Sequence, residues 1–261
     1  MAQSLYIVTG ASRGMGAAIA EQLIEPGHTL LCISRGTNDA QRAKAAQAGV
    51  PLEQWARDLA DAPKVADEVE AWLRGFDEQR FDEAVLINNA GVITRVGPMD
   101  ECSSAELSSA MRVGLESAML LTASLLRATR SWRAMNAGRV KVLNISSGLG
   151  RRAMAGSAPY CAAKAGMDHF SRAAALDEAH RASTHGGGAK IVSLAPGVID
   201  TDMQTQLRGS DPAGFPDKGN FVGLHQSGQL TSPAEAAARV LGYLRRPDFG
   251  TQPVADVRDP A

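Results

Sequence analysis

A tyrosine and a lysine are spaced so that their side chains meet on one face of a helix. Tyr160 and Lys164 are four residues apart in Pro159–Ala182, a segment that its pattern predicts to be helical, and residues four apart are neighbours on a helix surface. A free tyrosine has a pKa of about 10 and exchanges protons slowly at neutral pH. Because a nearby ammonium group favours the phenolate, the pair is predicted to bring the phenol closer to its working range. The chemistry that this pair indicates is proton transfer.

A serine precedes the pair at the end of a predicted strand. Ser147 lies thirteen residues before Tyr160 and follows the apolar run Val140–Ile145 and Ser146. The carboxyl ends of parallel strands face the ligand crevice of an α/β sheet, so the Ser147 hydroxyl is predicted to donate a hydrogen bond to a substrate carbonyl. Because side chains alternate along a strand, Ser146 is predicted to point away from the ligand.

Glycines form a turn between the first predicted strand and the first predicted helix. Their spacing is G-x-x-x-G-x-G, which differs from the more common G-x-G-x-x-G fingerprint. Such a turn lets the backbone approach a pyrophosphate, whose charge then lies at a helix N-terminus. A glycine-rich turn without a ligand remains the alternative interpretation of this segment alone. The residues predicted here to bind a cofactor are Gly10, Ser12, Arg13, Gly14, Met15 and Gly16.

The end of the second predicted strand bears on the choice of coenzyme. NAD sites tend to have an Asp or Glu there for the ribose 2′-hydroxyl, whereas NADP sites use a cation for the 2′-phosphate. This chain has Ser34 followed by Arg35, and a guanidinium group is a planar, bidentate phosphate ligand. Arg13 in the glycine turn adds a second cation. The sequence therefore favours NADP(H) over NAD(H).

The elements that must position these residues alternate between short apolar runs and longer Ala-rich helical patterns. Strands are predicted at Leu5–Thr9, Thr29–Ser34, Leu52–Arg57, Ala84–Asn88, Val140–Ile145 and Lys190–Ala195. Helices are predicted at Gly14–Ile24, Asn38–Ala48, Pro63–Leu73, Ser103 to about Ala134, Pro159–Ala182 and Ser232–Arg246, the last one capped by Ser232. We therefore predict an α/β fold, in which one Rossmann-type, doubly wound parallel sheet with helices on both faces forms a single domain over residues 1–261.

The segment from residue 196 to residue 230 breaks this alternation. It contains six glycines and has little clear periodicity. A connection of this length in a compact domain is usually a lid or a binding loop. We therefore predict that it forms a loop over the substrate.

Composition excludes several other classes of protein. The chain has 261 residues, 27 of them basic and 28 acidic, with a formal net charge of −1. This balance argues against a surface built to bind nucleic-acid phosphates or anionic membranes. The three cysteines form no disulfide framework, the five histidines have no metal-ligand spacing, and no secretory signal is visible. These features predict a cytoplasmic enzyme without a metal site.

In their order and separations, the motifs resemble those of the short-chain dehydrogenase/reductase family over essentially the whole chain. The matching motifs are T-G-x-x-x-G-x-G at 9–16, Asn-Asn-Ala-Gly at 88–91, Ser147, Tyr160 with Lys164, and Pro-Gly at 196–197. The resemblance implies a nicotinamide cofactor. It also implies that Tyr160 is the acid/base, that Ser147 orients the carbonyl, and that Lys164 binds the nicotinamide ribose and lowers the pKa of the tyrosine.

The resemblance implies further cofactor contacts beyond the glycine turn. Asp58, in the pair Asp58-Leu59, matches the position that touches adenine, Asn89 and Gly91 line the ribose side, and Val198 to Thr201 flank the nicotinamide carboxamide. The cofactor-binding residues predicted in these segments, together with the coenzyme-selecting pair, are Ser34, Arg35, Asp58, Leu59, Asn89, Ala90, Gly91, Tyr160, Lys164, Pro196, Gly197, Val198, Ile199 and Thr201.

Residues 194–204, 228–233 and 249–250 are similar to the sepiapterin reductases and bacterial benzil-type diketone reductases of this family. This similarity implies a substrate pocket near Met203. Asp256 is the nearest match to the aspartate that anchors the pterin in sepiapterin reductases. Gly114 is a departure, because many family members have an asparagine there that holds a water in the proton relay.

Together these features predict an NADPH-dependent reductase of a ketone, a vicinal diketone or a pterin-type substrate. Its predicted partners are a small-molecule carbonyl compound and further copies of itself, in a homodimer or homotetramer, with no nucleic acid and no membrane. A 3-oxoacyl or sugar-alcohol oxidoreductase of the same family is one alternative. A nucleotide-binding regulator with weakened catalysis is another, which Gly114 slightly favours and the intact Ser147, Tyr160 and Lys164 argue against.

Overall fold

Seven strands pair side by side in the computed structural model, which describes residues 3–135 and 139–259. The strands are β1 (Ser4–Thr9), β2 (His28–Ser34), β3 (Leu52–Ala56), β4 (Glu83–Asn88), β5 (Val140–Ile145), β6 (Lys190–Ala195) and β7 (Val254–Asp256). Their order across the sheet is β3-β2-β1-β4-β5-β6-β7, and every neighbouring pair is parallel. This sheet confirms the predicted doubly wound α/β fold.

Helices cover both faces of the sheet. They are α1 (Gly14–Gln22), α2 (Asp39–Ala48), α3 (Ala62–Arg74), α4 (Ser104–Met111), α5 (Ser117–Ala128), α6 (Arg130–Met135), α7 (Ala158–His185), α8 (Asp202–Gly209), α9 (Lys218–Gln226) and α10 (Pro233–Leu244). The Ser232 side chain accepts a hydrogen bond from the backbone N–H of Glu235. This confirms the predicted cap of α10, and such a cap stabilises a helix by about 1 kcal/mol. Among the described residues, no helix has the length and apolarity needed to cross a membrane.

Strand β1, in the interior of the sheet, is buried along its whole length. Tyr6 and Val8 pack with residues of α1 and α10 on one face, whereas Leu5 and Ile7 pack with residues of α3 and α5 on the other. Successive side chains of a strand point to opposite faces, so a continuous apolar run suits a strand that is covered on both sides. Each fully buried aliphatic side chain contributes about 1.5–3 kcal/mol to this core.

The strand order reverses between β1 and β4. The chain runs outwards from β1 to β2 and β3, and then returns to pair β4 with the other side of β1. At such a reversal the connections leave the carboxyl ends of the two strands in opposite directions, which opens a crevice. Gly10 and Asn89 lie at this crevice, directly after β1 and β4. The single domain over residues 1–261 stays a prediction, because its two ends lie outside the described residues.

The long helix predicted from Ser103 to about Ala134 is divided into three. A π-helical turn, Arg112–Glu116, separates α4 from α5, and α6 begins after Thr129. Gly114 lies in this turn, where an added Cβ would lie 3.0 Å from the Cβ of Ala163 in α7. The glycine therefore permits a close approach of the two helices, which the periodicity of the sequence did not reveal.

Three elements, α8, α9 and β7, were not predicted. Residues 196–230 include two short helices, whereas the predicted loop over the substrate stays a prediction. The helix α8 buries Gln204 and Leu207, α9 buries no residue, and β7 has three residues at the edge of the sheet. Elements this short depend on tertiary contacts rather than on a periodic pattern, so the sequence contained little signal for them.

Candidate active site

A cavity of about 1180 Å³ lies at the carboxyl ends of the strands. Pockets for drug-sized ligands measure roughly 300–1,000 Å³, so this cavity has room for a dinucleotide together with a second small molecule. Among the residues predicted from the sequence, Asp256 is absent from its lining. The predicted residues that line the cavity are Gly10, Ser12, Arg13, Gly14, Met15, Gly16, Ser34, Arg35, Asp58, Leu59, Asn89, Ala90, Gly91, Ser147, Tyr160, Lys164, Pro196, Gly197, Val198, Ile199, Thr201 and Met203.

The glycine turn is closely packed against the end of β4. Gly10 has a φ of +67°, and an added Cβ there would lie 3.0 Å from the Cα of Ala90. An added Cβ at Gly16 would lie 2.2 Å from the carbonyl oxygen of Gly10, so both positions require glycine. The Asn89 amide donates to the carbonyl of Thr9 at 3.0 Å, and the Thr9 hydroxyl accepts from the backbone N–H of Asn89 at 3.0 Å. These bonds hold the ends of β1 and β4 together.

The first turn of α1 suits a diphosphate group. The helix begins at Gly14, and Arg13 at its cap position provides no side-chain cap among the described residues. The first N–H groups of a helix need an acceptor, and together with the helix dipole they form an anion site. The guanidinium of Arg13 lies 2.9 Å from the carboxylate of Asp202 in α8. The turn therefore fits the pyrophosphate of a dinucleotide, and Arg13 also reaches across to α8.

The end of β2 carries the features that were predicted to select the coenzyme. The Ser34 hydroxyl donates to the carbonyl of Gly36 at 3.0 Å. Arg35 is exposed in the cavity lining and has no ion-pair partner among the described residues. Arg57 follows the neighbouring strand β3, lines the same cavity and pairs with Glu68 at 2.7 Å. Sequence reasoning missed Arg57, because only the pairing of β2 with β3 brings it close to Ser34.

Ser147, Tyr160 and Lys164 come together in the same cavity, as the sequence predicted. Lys164 is buried, and its ammonium group donates to the carbonyl of Ile145 at 2.7 Å. Its Nζ lies 5.7 Å from the centroid of the Tyr160 ring. The Ser147 hydroxyl accepts from the backbone N–H of Leu149 at 3.1 Å, which orients its side chain at the end of β5.

The ionisation of the tyrosine differs from the prediction. Burial raises the pKa of Tyr160 to about 12, and a hydrogen bond with Ser147 opposes this rise only in part. Burial also lowers the pKa of Lys164 to about 8, while the charge of Asp168 acts in the opposite direction. The expected lowering of the Tyr160 pKa by Lys164 is not seen, because burial is the largest cause of the shift and Lys164 is not among its causes. The site holds a neutral phenol, which is the form that donates a proton.

One region of the cavity lining is apolar, and we call it the apolar end of the cavity. Its lining joins Met203, predicted from the sequence, to side chains that no motif indicated. These missed residues are Ile93, Leu149, Met154, Leu207 and Phe221. They come from separate segments, and only the fold brings them together. Gln204 also lines the cavity; it is 7% exposed, and its amide oxygen has no hydrogen-bond partner among the described residues.

Two further predicted residues have partners within the protein. The carboxylate of Asp256 accepts from the guanidinium of Arg258 at 2.6 Å and 2.7 Å, and Arg258 lowers the pKa of this aspartate. Arg258, rather than Asp256, lines the cavity. Ser146 also lines the cavity, and its hydroxyl donates to Asp168 at 2.5 Å; that its side chain points away from the ligand stays a prediction. Within residues 3–135 and 139–259, no cluster of three or more His, Cys, Asp or Glu could hold a metal ion.

The fold and this cavity define an α/β protein that binds a dinucleotide. A profile of the family described as short chain dehydrogenase matches residues 4–211. The chain belongs to this family of oxidoreductases, which act on carbonyl and hydroxyl groups and bind nicotinamide nucleotides. The family resemblance of the sequence motifs is thereby confirmed.

Curated relatives support the same assignment. A benzil reductase ((S)-benzoin forming) from Bacillus cereus is 31% identical over 93% of this chain and 94% of its own length. A sepiapterin reductase from Rattus norvegicus is 29% identical over 98% of this chain and 97% of its own. A 3-oxoacyl-[acyl-carrier-protein] reductase from Vibrio harveyi is 31% identical over 94% of this chain and 90% of its own. The predicted similarity to benzil reductases and sepiapterin reductases is thereby confirmed. The three relatives are almost equally identical to this chain, so sequence identity does not distinguish between their substrates.

A solved structure gives the same view of the fold. The 3-oxoacyl-[acyl-carrier protein] reductase from Brucella melitensis in complex with NAD superposes with a TM-score of 0.78, over 98% of this chain and 96% of that chain. Its sequence identity to this chain is 22%, so the likeness concerns the fold alone.

Proposed function

We propose that this protein is an NADPH-dependent carbonyl reductase whose substrate is a ketone or a vicinal diketone. The observation that carries the proposal is the single cavity that brings Tyr160 together with Ser147, the buried Lys164 and the glycine-lined start of α1, which has no side-chain cap among the described residues. A reductase must protonate the carbonyl oxygen of its substrate. A phenol with a raised pKa remains protonated at neutral pH and is therefore suited to this direction of the reaction.

Three side chains would act on the substrate carbonyl. The Ser147 hydroxyl donates a hydrogen bond to the carbonyl oxygen and orients it. Tyr160 then transfers its proton to that oxygen, while the ammonium group of Lys164 stabilises the phenolate that remains. The bound coenzyme supplies the hydride that adds to the carbonyl carbon. The products of these transfers are an alcohol and the oxidised coenzyme.

Different residues around the cavity would bind different parts of the coenzyme. Backbone N–H groups from Ser12 to Gly16 would bind the pyrophosphate, and Arg35 would pair with a 2′-phosphate. Asp58 and Leu59 would border the adenine. Residues 89–91 with Lys164 would hold the nicotinamide ribose, and residues 196–201 would border the carboxamide. Arg35, which has no ion-pair partner among the described residues, and the presence of Ser34 where NAD sites have an acid support NADPH rather than NADH.

The apolar end of the cavity supports a compact, apolar carbonyl compound as the substrate. The apolar side chains at this end offer surfaces for hydrocarbon or aromatic groups; they are Met203, Ile93, Leu149, Met154, Leu207 and Phe221. The relative named benzil reductase acts, by its name, on an aromatic diketone. The name of the 3-oxoacyl reductase relative favours acyl thioesters as the second candidate.

A carbonyl panel tests the proposal. The purified protein is incubated with NADPH and, in separate reactions, with benzil-type diketones, pterins, quinones, sugar ketones and 3-oxoacyl thioesters, and NADPH consumption is followed. We expect the highest kcat/KM with vicinal diketones, and no turnover above background with Tyr160→Phe in any reaction. Turnover with acyl thioesters alone would move the protein to the second candidate class.

A further inference from the structure

A buried carboxylate lies one helical turn after Lys164. Asp168 in α7 is 1% exposed. One of its oxygens accepts from the hydroxyls of Ser146 at 2.5 Å and Ser193 at 2.7 Å, and the other accepts from the guanidinium of Arg151 at 3.3 Å. A buried carboxylate is costly unless it is hydrogen-bonded and balanced by a cation. The two serines and Arg151 therefore satisfy the hydrogen-bonding needs of the Asp168 carboxylate. Its negative charge also acts electrostatically on the ionisable groups around it.

These donors connect Asp168 to the strand ends that form the candidate site. Ser146 directly precedes Ser147, and Ser193 lies in β6. Arg151 follows Ser147 in the chain and also donates to the carbonyl of Ala255 in β7 at 2.7 Å. The carboxylate of Asp168 thus joins β5, β6 and β7 to the helix that carries Tyr160 and Lys164.

The turn after Ser147 is packed directly on this cluster. An added Cβ at Gly150 would lie 3.0 Å from the carboxylate of Asp168 and 2.9 Å from the carbonyl oxygen of Lys164. The turn therefore has no room to move towards α7. A change in the carboxylate would be transmitted to the backbone that sets the position of Ser147.

We propose that Asp168 is a positioning residue of this site: its charge keeps Lys164 in the ammonium form, and its hydrogen bonds fix the strand end that carries Ser147. The inference rests on the proposed reductase function, because that function requires a charged Lys164 beside Tyr160. Asp168 itself is absent from the cavity lining, so it acts through its neighbours.

The groups that surround Lys164 support this assignment. From α7 it faces Tyr160 and Asp168, from β5 the carbonyl of Ile145, and from the segment after β4 the backbone of Gly91. Arg151, from the turn after Ser147, faces the carboxylate. Burial lowers the pKa of Lys164, and within the described part of the chain the charge of Asp168 opposes this lowering.

The test compares pH profiles of kcat for variants that remove the charge with variants that keep it. Asp168→Asn removes the charge at constant size, Asp168→Glu keeps the charge, and Ser193→Ala removes one hydrogen bond only. We expect the alkaline limb of Asp168→Asn to move down by about one pH unit, so that its activity loss is roughly tenfold greater at high pH than at low pH. The alkaline limbs of the Asp168→Glu and Ser193→Ala profiles should lie at the same pH as that of the wild type, even if the maximal kcat of these variants is lower.

A second variant moves the profile in the other direction. Arg151→Met removes the cation that competes for the charge of Asp168, so the alkaline limb is expected to move to higher pH. Arg151 has a partly exposed side chain, and this variant therefore remains informative if Asp168→Asn does not fold. A pH-independent loss in Asp168→Asn, or an unmoved limb in Arg151→Met, would overturn the proposal.

A measurement without substrate separates this inference from the proposed function. Trace labelling of the Lys164 amine with an amine-specific reagent, quantified by peptide mass spectrometry across pH, reports its ionisation directly. A lower midpoint in Asp168→Asn than in the wild type would support the inference even if no carbonyl compound were reduced. An unchanged midpoint beside normal reductase activity would reject the inference and leave the proposed function intact.

Discussion

Gly114 and Ala163 approach each other so closely that the space between the π turn and α7 holds only one Cβ. An added Cβ at Gly114 would lie 3.0 Å from that of Ala163, which directly precedes Lys164. Where many family members have an asparagine, this chain therefore has a glycine that lets the π turn pack closely against α7. The departure noted in the sequence has a steric reason in the structure.

Gly114→Asn is expected to retain turnover within about tenfold of the wild type, because it removes none of Ser147, Tyr160 and Lys164. Glycine inside a helix costs roughly 0.5–1 kcal/mol relative to alanine, which alone would predict a more stable variant. The tight contact with Ala163 opposes this gain, since overpacking costs about 1–3 kcal/mol. We therefore expect an unchanged or lower Tm, measured by thermal unfolding with NADPH bound.

Gly114→Ala is the matched control, because it makes the same Cβ contact without the amide. Combining Gly114→Asn with Ala163→Gly should recover the lost stability. A wild type that is inert on every carbonyl, together with an active Gly114→Asn, would instead favour the regulator hypothesis.

Arg35→Asp is expected to reverse or abolish the preference for NADPH. The wild type should prefer NADPH over NADH by roughly tenfold or more in kcat/KM, since one charge-assisted phosphate contact contributes about 1.5–3 kcal/mol. Arg42→Asp makes the same charge change on α2, outside the cavity lining, and should leave the preference intact. Equal kcat/KM for the two coenzymes in the wild type would contradict the prediction.

Tyr160→Phe is expected to lose turnover by about 10²–10⁴-fold, because a phenyl ring has no proton to donate. Its affinity for NADPH and its Tm should match those of the wild type. Tyr243→Phe, in α10 and outside the cavity lining, is the control and should keep full activity. If Tyr160→Phe kept more than about a tenth of the wild-type rate, the tyrosine would not be the proton donor.

Lys164→Met is expected to abolish activity and to stabilise the protein at neutral pH. Burial lowers the pKa of Lys164 to about 8 from its ordinary 10.5, so between these values the unfolded chain binds more protons than the folded one. Wild-type stability should therefore rise with pH across this window. The Met variant lacks this term, and its advantage should be largest below about pH 8 and shrink towards about pH 10.

The size of the Lys164→Met effect can be bounded. The lost hydrogen bond to Ile145 costs about 1 kcal/mol, which partly offsets the gain from removing a buried cation. A net gain near 1 kcal/mol corresponds to roughly 2–4 °C in Tm for a domain of this size. If the free energies of unfolding of the two proteins changed with pH in parallel, Lys164 would not be desolvated, contrary to what the structure indicates.

Gln204→Met is expected to raise the Tm and to change substrate preference. The buried amide oxygen of Gln204 lacks a partner among the described residues, and an unsatisfied buried acceptor costs about 1–3 kcal/mol. KM should rise for substrates that carry N–H or O–H donors and stay within about twofold for apolar diketones. An unchanged KM for all substrates, measured with saturating NADPH, would remove Gln204 from the binding site.

The motifs that could be recognised in the sequence are those whose geometry is local. Gly16 is required by its contact with the Gly10 carbonyl within one strand–turn–helix unit, and Gly10 has a φ of +67°, which favours glycine. Tyr160 and Lys164 share a face because a helix turns every 3.6 residues. Largely apolar runs indicated β1, β2, β4, β5 and β6, since strands buried on both faces need such runs, whereas β3 was predicted from a weaker pattern. Local rules of this kind depend only on neighbours in the chain.

The remaining features depend on which distant segments meet. Arg57 reaches the end of β2 through strand pairing, and the apolar end of the cavity gathers Ile93, Met154 and Phe221 from separate elements. The raised pKa of Tyr160 follows from burial, and burial is a sum over all neighbours in space. Spacing along the chain places the phenol beside the lysine, whereas its ionisation depends on how much water the whole fold excludes from it.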